Sequence, residues 1–388
     1  MRLSTVILGF LASTAVAELP KLAPLPEAKP LVQAELEASI KRGVDYLVKK
    51  QNADGSWGGP TRTKGLNIYA PVPDSHLAFR TGCSTLALSG LLDSNDRRPE
   101  VVAAIDKAEA WMFEKLPKLR HLDPTTTYNV WGHSYGLRAI ADLYEYRKGD
   151  EAKRSRLKQL AGLQIQMLLK TEDVNGGWGY LDFKDFTAHF SGIPTAFTTA
   201  TVLLAMKDAN EVFGLEIPKR EIKRGLDSIN KQRTPDWSFV YSIQHRYRPR
   251  IGINRPAGSL GRSQVCMAAL RKFGDERVTD ELLSHWLHRL CLRENWFDHA
   301  RKRPVPHETH FSLSGYFYYY GFYYATECLQ MLPQEEQKEF IPHLAHHIME
   351  KQEKDGSWWD YPLYDYHQPY GTGYALTTLS RLRTPEKK

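Results

Sequence analysis

Histidines and a carboxylate stand close together in one segment of the 388-residue sequence, and their types suit acid–base chemistry. His307, Glu308 and His310 could each give or take a proton, and they could also bind a metal ion. Their spacing is not the His-Glu-x-x-His of zinc proteases, which excludes that class. In the alternative interpretation, Glu308 or Thr309 caps a helix and the histidines bond to the loop backbone.

A second segment, thirteen residues long and close to the end of the chain, holds two carboxylates, a histidine and four tyrosines. Asp360, Asp365 and His367 are predicted catalytic residues, because a tyrosine beside Asp and His could deliver or remove a proton. Tyr366 and Tyr370 are predicted to bind the substrate, since aromatic rings can shelter a cation or stack on a sugar. A self-packed aromatic loop is the structural alternative.

Basic residues crowd two loops, and arginine binds carboxylate, sulfate or phosphate through paired hydrogen bonds. The two groups are Arg246, Arg248, Arg250, Arg255 and Arg262, followed one loop later by Arg301, Lys302 and Arg303. Arg255, Arg262 and Arg303 are the predicted substrate-binding residues. A run of solvated charge is the alternative.

The segment 127–138 contains the residue types that an acidic-sugar lyase needs, namely a neutralising Asn or His and a proton-moving Tyr or Arg. Tyr128 and His133 are its predicted substrate-binding residues. Packing inside the fold, with the polar groups satisfied, is the alternative.

An amphipathic helical pattern recurs six times and would supply the scaffold for these residues. Its clearest copies run over Lys41–Gln51 and Leu344–Gln352, and Asp-Gly-Ser-Trp follows each. Apolar residues recur near i, i+3, i+4 and i+7, which indicates a helix with one buried face. Glycine then ends the helix, because it accepts the positive φ of such a turn. Weaker copies lie at 161–170, 223–237, 103–116 and 282–296.

Six further segments alternate with these helices and are apolar on most sides, which is typical of buried helices. They span 78–93, 125–145, 190–207, 257–272, 310–331 and 370–383. Their small residues let neighbouring helix axes approach closely. We therefore predict an all-α fold, an (α/α)6 toroid of inner and outer rings, formed as a single domain by residues 34–388.

The links between these helices alternate between long and short. Links from an outer to an inner helix are long, and long loops in compact domains are usually functional. All links of one kind lie on one face of a ring. We therefore expect one pocket at the N-terminal ends of the inner helices, where free N–H groups favour anions.

The repeats of a helix, a Gln and Gly-x-Trp resemble the QW motif of triterpene cyclases. The toroid is similar to the fold shared by terpene cyclases and protein prenyltransferase β subunits, and the resemblance covers nearly all of residues 34–383. It implies a terpene cyclase/prenyltransferase-like protein, an enzyme with one pocket. Residues at repeated positions hold neighbouring repeats against each other. We therefore expect structural roles for Gln51, Trp57, Gln352 and Trp358.

Two motifs of these relatives are missing from the sequence. The Asp-x-Asp-Asp proton donor of squalene–hopene cyclases does not occur, and Gln264 stands two residues before Cys266 where prenyltransferases have a zinc-binding Asp. No metal ligand is therefore predicted, and no cofactor is assigned. Two alternatives stay open: an acidic-polysaccharide lyase or hydrolase on the same toroid, and a non-catalytic binding scaffold.

The first residues carry a predicted export signal. Arg2, the apolar run Val6–Ala12 and the Ala15–Ala17 cleavage site form a signal peptide over residues 1–17, and a Pro- and Ala-rich linker follows over residues 18–33. No later stretch reaches the roughly 20 apolar residues of a membrane span. We expect a periplasmic or extracellular protein without stable membrane insertion.

The composition is that of a globular protein, with 42% hydrophobic and 25% charged residues. The net charge of +7 favours an anionic small molecule or glycan as the ligand. No nucleic-acid-binding motif and no partner chain are evident. Four cysteines exclude a disulfide scaffold and are interpreted as buried thiols.

Overall fold

The computed structural model describes residues 19–63, 73–119, 128–180 and 193–383, and within these ranges the regular elements are helices. The predicted signal peptide lies outside them, as do residues 125–127 and 190–192 of two predicted inner helices. The outer helices are α1 (Gln33–Lys50), α3 (Pro99–Lys115), α5 (Glu151–Lys170), α7 (Lys219–Lys231), α9 (Asp280–Leu292) and α12 (Gln334–Met349). The inner helices are α2 (Pro73–Asp93), α4 (Asn129–Tyr146), α6 (Ala196–Phe213), α8 (Ser263–Lys272), α11 (Tyr318–Leu329) and α13 (His367–Arg381). A short helix, α10 (Glu294–Asp298), follows α9.

The inner helices form a closed ring in which each contacts the next. The order of contacts runs α2, α4, α6, α8, α11, α13 and back to α2. Inner helices are buried on nearly all sides, whereas an outer helix such as α1 buries one stripe, which includes Leu36, Ile40, Val44 and Leu47. This is the predicted (α/α)6 toroid.

The repeated tryptophans fix the turn from an outer helix into the next inner helix. Trp57, Trp178 and Trp358 are fully buried, and each indole N–H donates over 2.8 Å to the carbonyl ten residues earlier. Their backbone N–H groups donate to hydroxyls of Ser84, Thr199 and Thr372 on the following inner helix. Gly55 and Gly356, both at φ 91°, make the preceding turn.

Two inner helices begin later than the sequence pattern predicts. The segment 257–262, predicted as the start of an inner helix, forms tight turns with bonds from N–H to the carbonyl three residues back, and α8 begins at Ser263. The predicted helix 310–331 begins as an α-helix only at Tyr318, because Phe311 and Ser312 have positive φ angles of 59° and 56°. Short 3-10 turns precede it.

The segment 19–32 packs against the outer ring. His288 and His346 donate from Nε2 to the carbonyls of Ala23 and Lys29, at 2.7 and 2.9 Å. Leu19, Leu25 and Leu31 pack on the core. The part of the predicted linker that the structure describes is thus held on helices α9 and α12.

Charged side chains fill the ring at the C-terminal ends of the inner helices. Glu327 is buried and lies 3.2 Å from Arg138 and 2.9 Å from Lys272, while Asp208 contacts the same two cations. Arg381 completes the cluster at 4.0 Å from Glu327. This end of the ring is therefore closed by paired charges. In the described ranges, no helix is both long and apolar enough to cross a membrane.

Candidate functional site

A cavity of about 410 Å³ lies at the opposite end of the ring, among the first turns of the inner helices. Ten of its lining residues are tyrosines: Tyr128, Tyr135, Tyr180, Tyr241, Tyr316, Tyr320, Tyr361, Tyr366, Tyr370 and Tyr374. Phe79, Trp131, Phe197 and Phe317 add four more aromatic rings. Within the described ranges no Asp, Glu, Lys or Arg lines the cavity, so its lining side chains are apolar apart from hydroxyl groups, one thiol, one imidazole and one indole N–H.

The rings stack along one wall of the cavity. Tyr128 and Tyr180 are parallel within 10° with their centroids 5.6 Å apart, and Trp131 stacks on Tyr135 at 5.9 Å and on Phe197 at 6.2 Å. Such faces carry the negative part of the aromatic quadrupole. They can therefore contact a hydrocarbon, a cationic carbon or the flat face of a sugar.

A chain of hydroxyl groups runs along the same wall. The hydroxyl oxygens of Tyr180 and Tyr241 are 2.6 Å apart, those of Tyr241 and Tyr316 are 3.2 Å apart, and the Tyr316 hydroxyl lies 2.9 Å from Nε2 of His307. Burial lowers the pKa of His307, which favours its neutral imidazole at pH 7. A neutral imidazole can accept a proton, so the chain ends on a group able to act as a base.

The buried guanidinium of Arg262 lies beneath this wall. It donates to the backbone carbonyls of Gly258, Ile253 and Phe239, at 2.8, 2.7 and 3.1 Å. It also stands 5.3 Å from the ring centroid of Tyr241. Among the described residues no carboxylate lies within ion-pair distance of it, so Arg262 brings a positive charge close to the cavity.

A carboxyl group stands behind Tyr370, close to the start of α11. Asp360 is fully buried, and the Tyr370 hydroxyl, which faces the cavity, donates to its Oδ1 over 2.6 Å. The Tyr319 N–H donates to its Oδ2 over 3.2 Å. Burial raises the pKa of Asp360 to about 7, so a large share of this group is protonated at neutral pH.

The structure brings five of the predicted site residues together. His307, Tyr128, Tyr366 and Tyr370 line the cavity, and Asp360 lies one hydrogen bond behind Tyr370. Arg262 lies under the wall, bonded to backbone carbonyls.

The other predicted site residues lie away from the cavity. Glu308, Asp365, Arg255 and Arg303 are exposed to solvent. His310 is also exposed and packs on Phe311. His133 is buried and donates from Nδ1 to Oε1 of Gln164 on the outer helix α5, over 2.7 Å. His367 bonds from Nδ1 to the Tyr364 carbonyl over 2.7 Å and packs on Trp359.

The predicted site did not include Tyr180, Tyr241 and Tyr316, which the structure places in the cavity wall. One signal could have found part of the wall. Aromatic residues four positions apart, at Trp131/Tyr135, Tyr316/Tyr320 and Tyr370/Tyr374, lie near the starts of three inner helices and share one face. Tyr180 and Tyr241 follow the motif tryptophans in long links, where no periodicity points to them.

The four cysteines are buried and unpaired, and Cys83 lines the cavity. Over the described part of the chain, no group of three or more His, Cys, Asp or Glu side chains is placed to hold a metal ion.

Sequence comparison finds neither a matching protein-family model nor a matching curated protein. Comparison of the structure finds distant likenesses instead. Cellobiose 2-epimerase from Spirochaeta thermophila aligns with a TM-score of 0.57 and 12% identity, over 90% of this chain and 96% of that one.

Two further solved structures align comparably. The unsaturated glucuronyl hydrolase from Streptococcus agalactiae has a TM-score of 0.56 and 15% identity, over 91% of this chain and 93% of that one. The α-1,6-mannanase GH76A of Salegentibacter sp., in complex with α-1,6-mannotriose, has a TM-score of 0.56 and 9% identity. The alignment covers 89% of this chain and 98% of that one. At these identities the likeness shows a shared fold, and the fold of this chain is the α/α toroid.

Proposed function

We propose that this protein is an exported, terpene cyclase-like enzyme that binds an apolar substrate of the isoprenoid class in the aromatic cavity and transfers protons there. The cavity lining is the observation that carries the proposal. Tyr, Phe and Trp make up fourteen of its 21 lining residues, and no charged side chain of the described residues lines it. Its volume of about 410 Å³ falls in the range of roughly 300–1,000 Å³ that is common for small-molecule sites.

An acid and a base both adjoin this cavity. The Asp360–Tyr370 pair can supply a proton: the protonated Asp360 carboxyl passes its proton to the Tyr370 oxygen while the Tyr370 hydroxyl, which faces the ligand space, gives its own proton to the substrate. The neutral imidazole of His307 can accept one. Proton gain at one carbon and proton loss at another rearranges a polyene without a further reactant, and the aromatic faces would stabilise the cationic intermediate.

Binding of squalene, farnesol and farnesyl diphosphate tests the proposal, with fluorescence of Trp131 and of the other tryptophans as the signal. The variant Gly82→Leu should fill the cavity, because a Cβ at Gly82 would meet no heavy atom closer than 3.9 Å and the side chain would extend into the ligand space. We expect isoprenoid affinity to fall at least about tenfold, the effect of losing one or two well-placed methylene contacts.

The matched control is Gly162→Leu. Gly162 lies on the outer helix α5, away from the cavity, and a Cβ there has open space around it. This variant should bind isoprenoids as the unchanged protein does. Wild-type protein that binds none of the three isoprenoids would refute the proposed substrate class.

A second candidate is an acidic-polysaccharide lyase, and Arg262 is the observation that favours it. A buried cation beside Tyr241 suits a substrate that becomes negative when it loses a proton, and neutral tyrosines could move that proton. The same binding experiment with uronate-bearing and sulfated oligosaccharides separates the candidates. Binding confined to these glycans, with new unsaturated chain ends as products, would support the lyase.

A further inference from the structure

The hydroxyl chain on the cavity wall has a fixed direction. We propose that Tyr180, Tyr241 and Tyr316 form a one-way proton relay from the cavity to His307, which acts as its terminal base. The inference rests on the proposed function, since it names the groups that remove the substrate proton. None of the three tyrosines belongs to the predicted site.

One backbone carbonyl sets the direction. The Ser312 carbonyl lies 2.8 Å from Nδ1 of His307, and because a carbonyl only accepts, Nδ1 must carry the hydrogen. In neutral imidazole, Nε2 then has no hydrogen and accepts from Tyr316 over 2.9 Å. The Tyr316 oxygen therefore accepts from Tyr241, and the Tyr241 oxygen accepts from Tyr180. Each hydroxyl proton points towards His307.

The backbone holds the imidazole in this orientation at a conformational cost. His307 has a φ of 61°, which is unfavourable for a residue with a side chain. Its backbone N–H donates to the Ser314 hydroxyl over 2.9 Å, and that hydroxyl also lies 2.9 Å from Nδ1. Strain of this kind persists where the surroundings over-determine a functional geometry.

The proton balance of the relay is simple. A substrate C–H bond next to the cationic carbon breaks, and its electron pair stays on the substrate as a new double bond. The proton passes to the Tyr180 oxygen while each hydroxyl proton moves one place along the chain. Nε2 of His307 gains one hydrogen and the three tyrosines end neutral. Because His307 is only half-buried, it can return the proton to solvent.

The charged and titratable groups that face His307 work against storage of the proton. Burial lowers the pKa of His307, the hydrogen bond to the Ser312 carbonyl raises it, and Arg262 and His245 lower it again, so that the pKa lies below the usual value for histidine. The imidazolium would therefore be short-lived, which suits a base that must be reset after every turnover.

The direction of the chain is tested without a substrate. Slow hydrogen–deuterium exchange at imidazole C2, read by mass spectrometry for each histidine peptide, gives the titration midpoint of His307. Tyr316→Phe removes a hydrogen bond to the neutral form, so the midpoint should rise by about 0.5–1 pH unit. Tyr144→Phe, a change on the outer side of α4 and away from the cavity, should leave it unchanged. An unchanged or lower midpoint in Tyr316→Phe would overturn the assigned direction.

The relay is tested by deuterium uptake from D₂O into bound farnesol or squalene. Tyr241→Phe interrupts the chain but leaves the Tyr316–His307 pair intact, so the His307 midpoint should hold while uptake falls by about 10²–10⁴-fold. Uptake at the wild-type rate in Tyr241→Phe would overturn the relay. If no isoprenoid binds wild-type protein, the proposed function fails, and the His307 midpoint still decides the direction of the chain.

Discussion

The side-chain amide of Gln352 donates to the backbone carbonyl of Ser39, 3.0 Å away, and so joins the sixth helix pair to the first. The same amide donates to the Gly356 carbonyl at 2.9 Å, while the Gln352 carbonyl oxygen accepts from the Ser39 hydroxyl at 2.9 Å. Gln51 bonds in the same way to Gly55 and to Ala104 of the next outer helix. The motif glutamine therefore links neighbouring repeats as well as capping its own turn.

Replacing Gln352 should weaken the closure of the ring. Gln352→Ala leaves the Ser39 and Gly356 carbonyls without this donor, and we expect a loss of about 1–3 kcal/mol in the free energy of unfolding. Chemical denaturation measures it. Gln330→Ala, at an exposed position, is the control and should change stability by less than about 0.5 kcal/mol. Equal effects would contradict a special role for Gln352.

Closure also depends on a glycine at the contact between α2 and α13. A Cβ at Gly373 would lie 2.4 Å from the Leu86 carbonyl oxygen, which real contacts do not allow. Gly373→Ala should therefore destabilise the protein by about 1–3 kcal/mol, because the backbone of α2 at Leu86 would have to shift to make room for the added methyl group. Gly162→Ala, in open space within α5, should instead stabilise slightly through helix propensity. Thermal unfolding should show a lower melting temperature for Gly373→Ala and a slightly higher one for Gly162→Ala, each compared with the unchanged protein.

The charged cluster at the closed end should be sensitive to loss of one partner. Burial alone would raise the pKa of Glu327, but Arg138, Lys272 and Arg381 lower it to about 2. Glu327→Ala leaves these cations without their central anion, and breaking such a buried pair costs about 3–5 kcal/mol. Glu335→Ala, which removes an exposed pair with Lys338, should cost less than about 1 kcal/mol.

Asp360 should give folding stability a specific pH dependence. Its folded pKa of about 7 is above the usual value for Asp, so the folded state binds a proton that the unfolded state releases between about pH 4 and pH 7. This contribution is present at low pH and is lost as the pH rises towards 7. Asp360→Asn should therefore remove a decline of up to about 1 kcal/mol per pH unit in this window, measured by denaturation from pH 4 to pH 8. Parallel curves for the two proteins would contradict the raised pKa.

The alternation of helix types was sufficient to predict the toroid. Burial of one helix face produces the apolar stripe of period 3.6 in α1 and α12. Burial on all sides produces the small and apolar residues around α6 and α13, so both patterns can be read from the sequence. The starts of α8 and α11 were not predictable in this way. They depend on positive φ angles at Phe311 and Ser312 and on glycine contacts between loops.

The candidate site was predicted only in part, for a related reason. Residue type and position before or at the start of an inner helix pointed to His307 and Tyr370, and both line the cavity. Charge pointed to Arg255 and Arg303, which are exposed and do not line the cavity, because a basic run contains no information about which side chains point inwards. Tyr180, Tyr241 and Tyr316 meet only after three separate links fold, so their distances from one another along the sequence do not show that they meet.

Ring closure has a consequence for the order in which the chain folds. The contacts of α1 and α2 with α13 join segments roughly 300 residues apart, whereas the other contacts between adjacent helices of the inner ring join inner helices that follow one another in the sequence. Contacts between distant segments require the largest loss of chain entropy and form late. The seam at Gln352 and Gly373 should therefore be the last part of the ring to form and the first to open, so the rate of unfolding should depend on substitutions there more than on equal losses elsewhere.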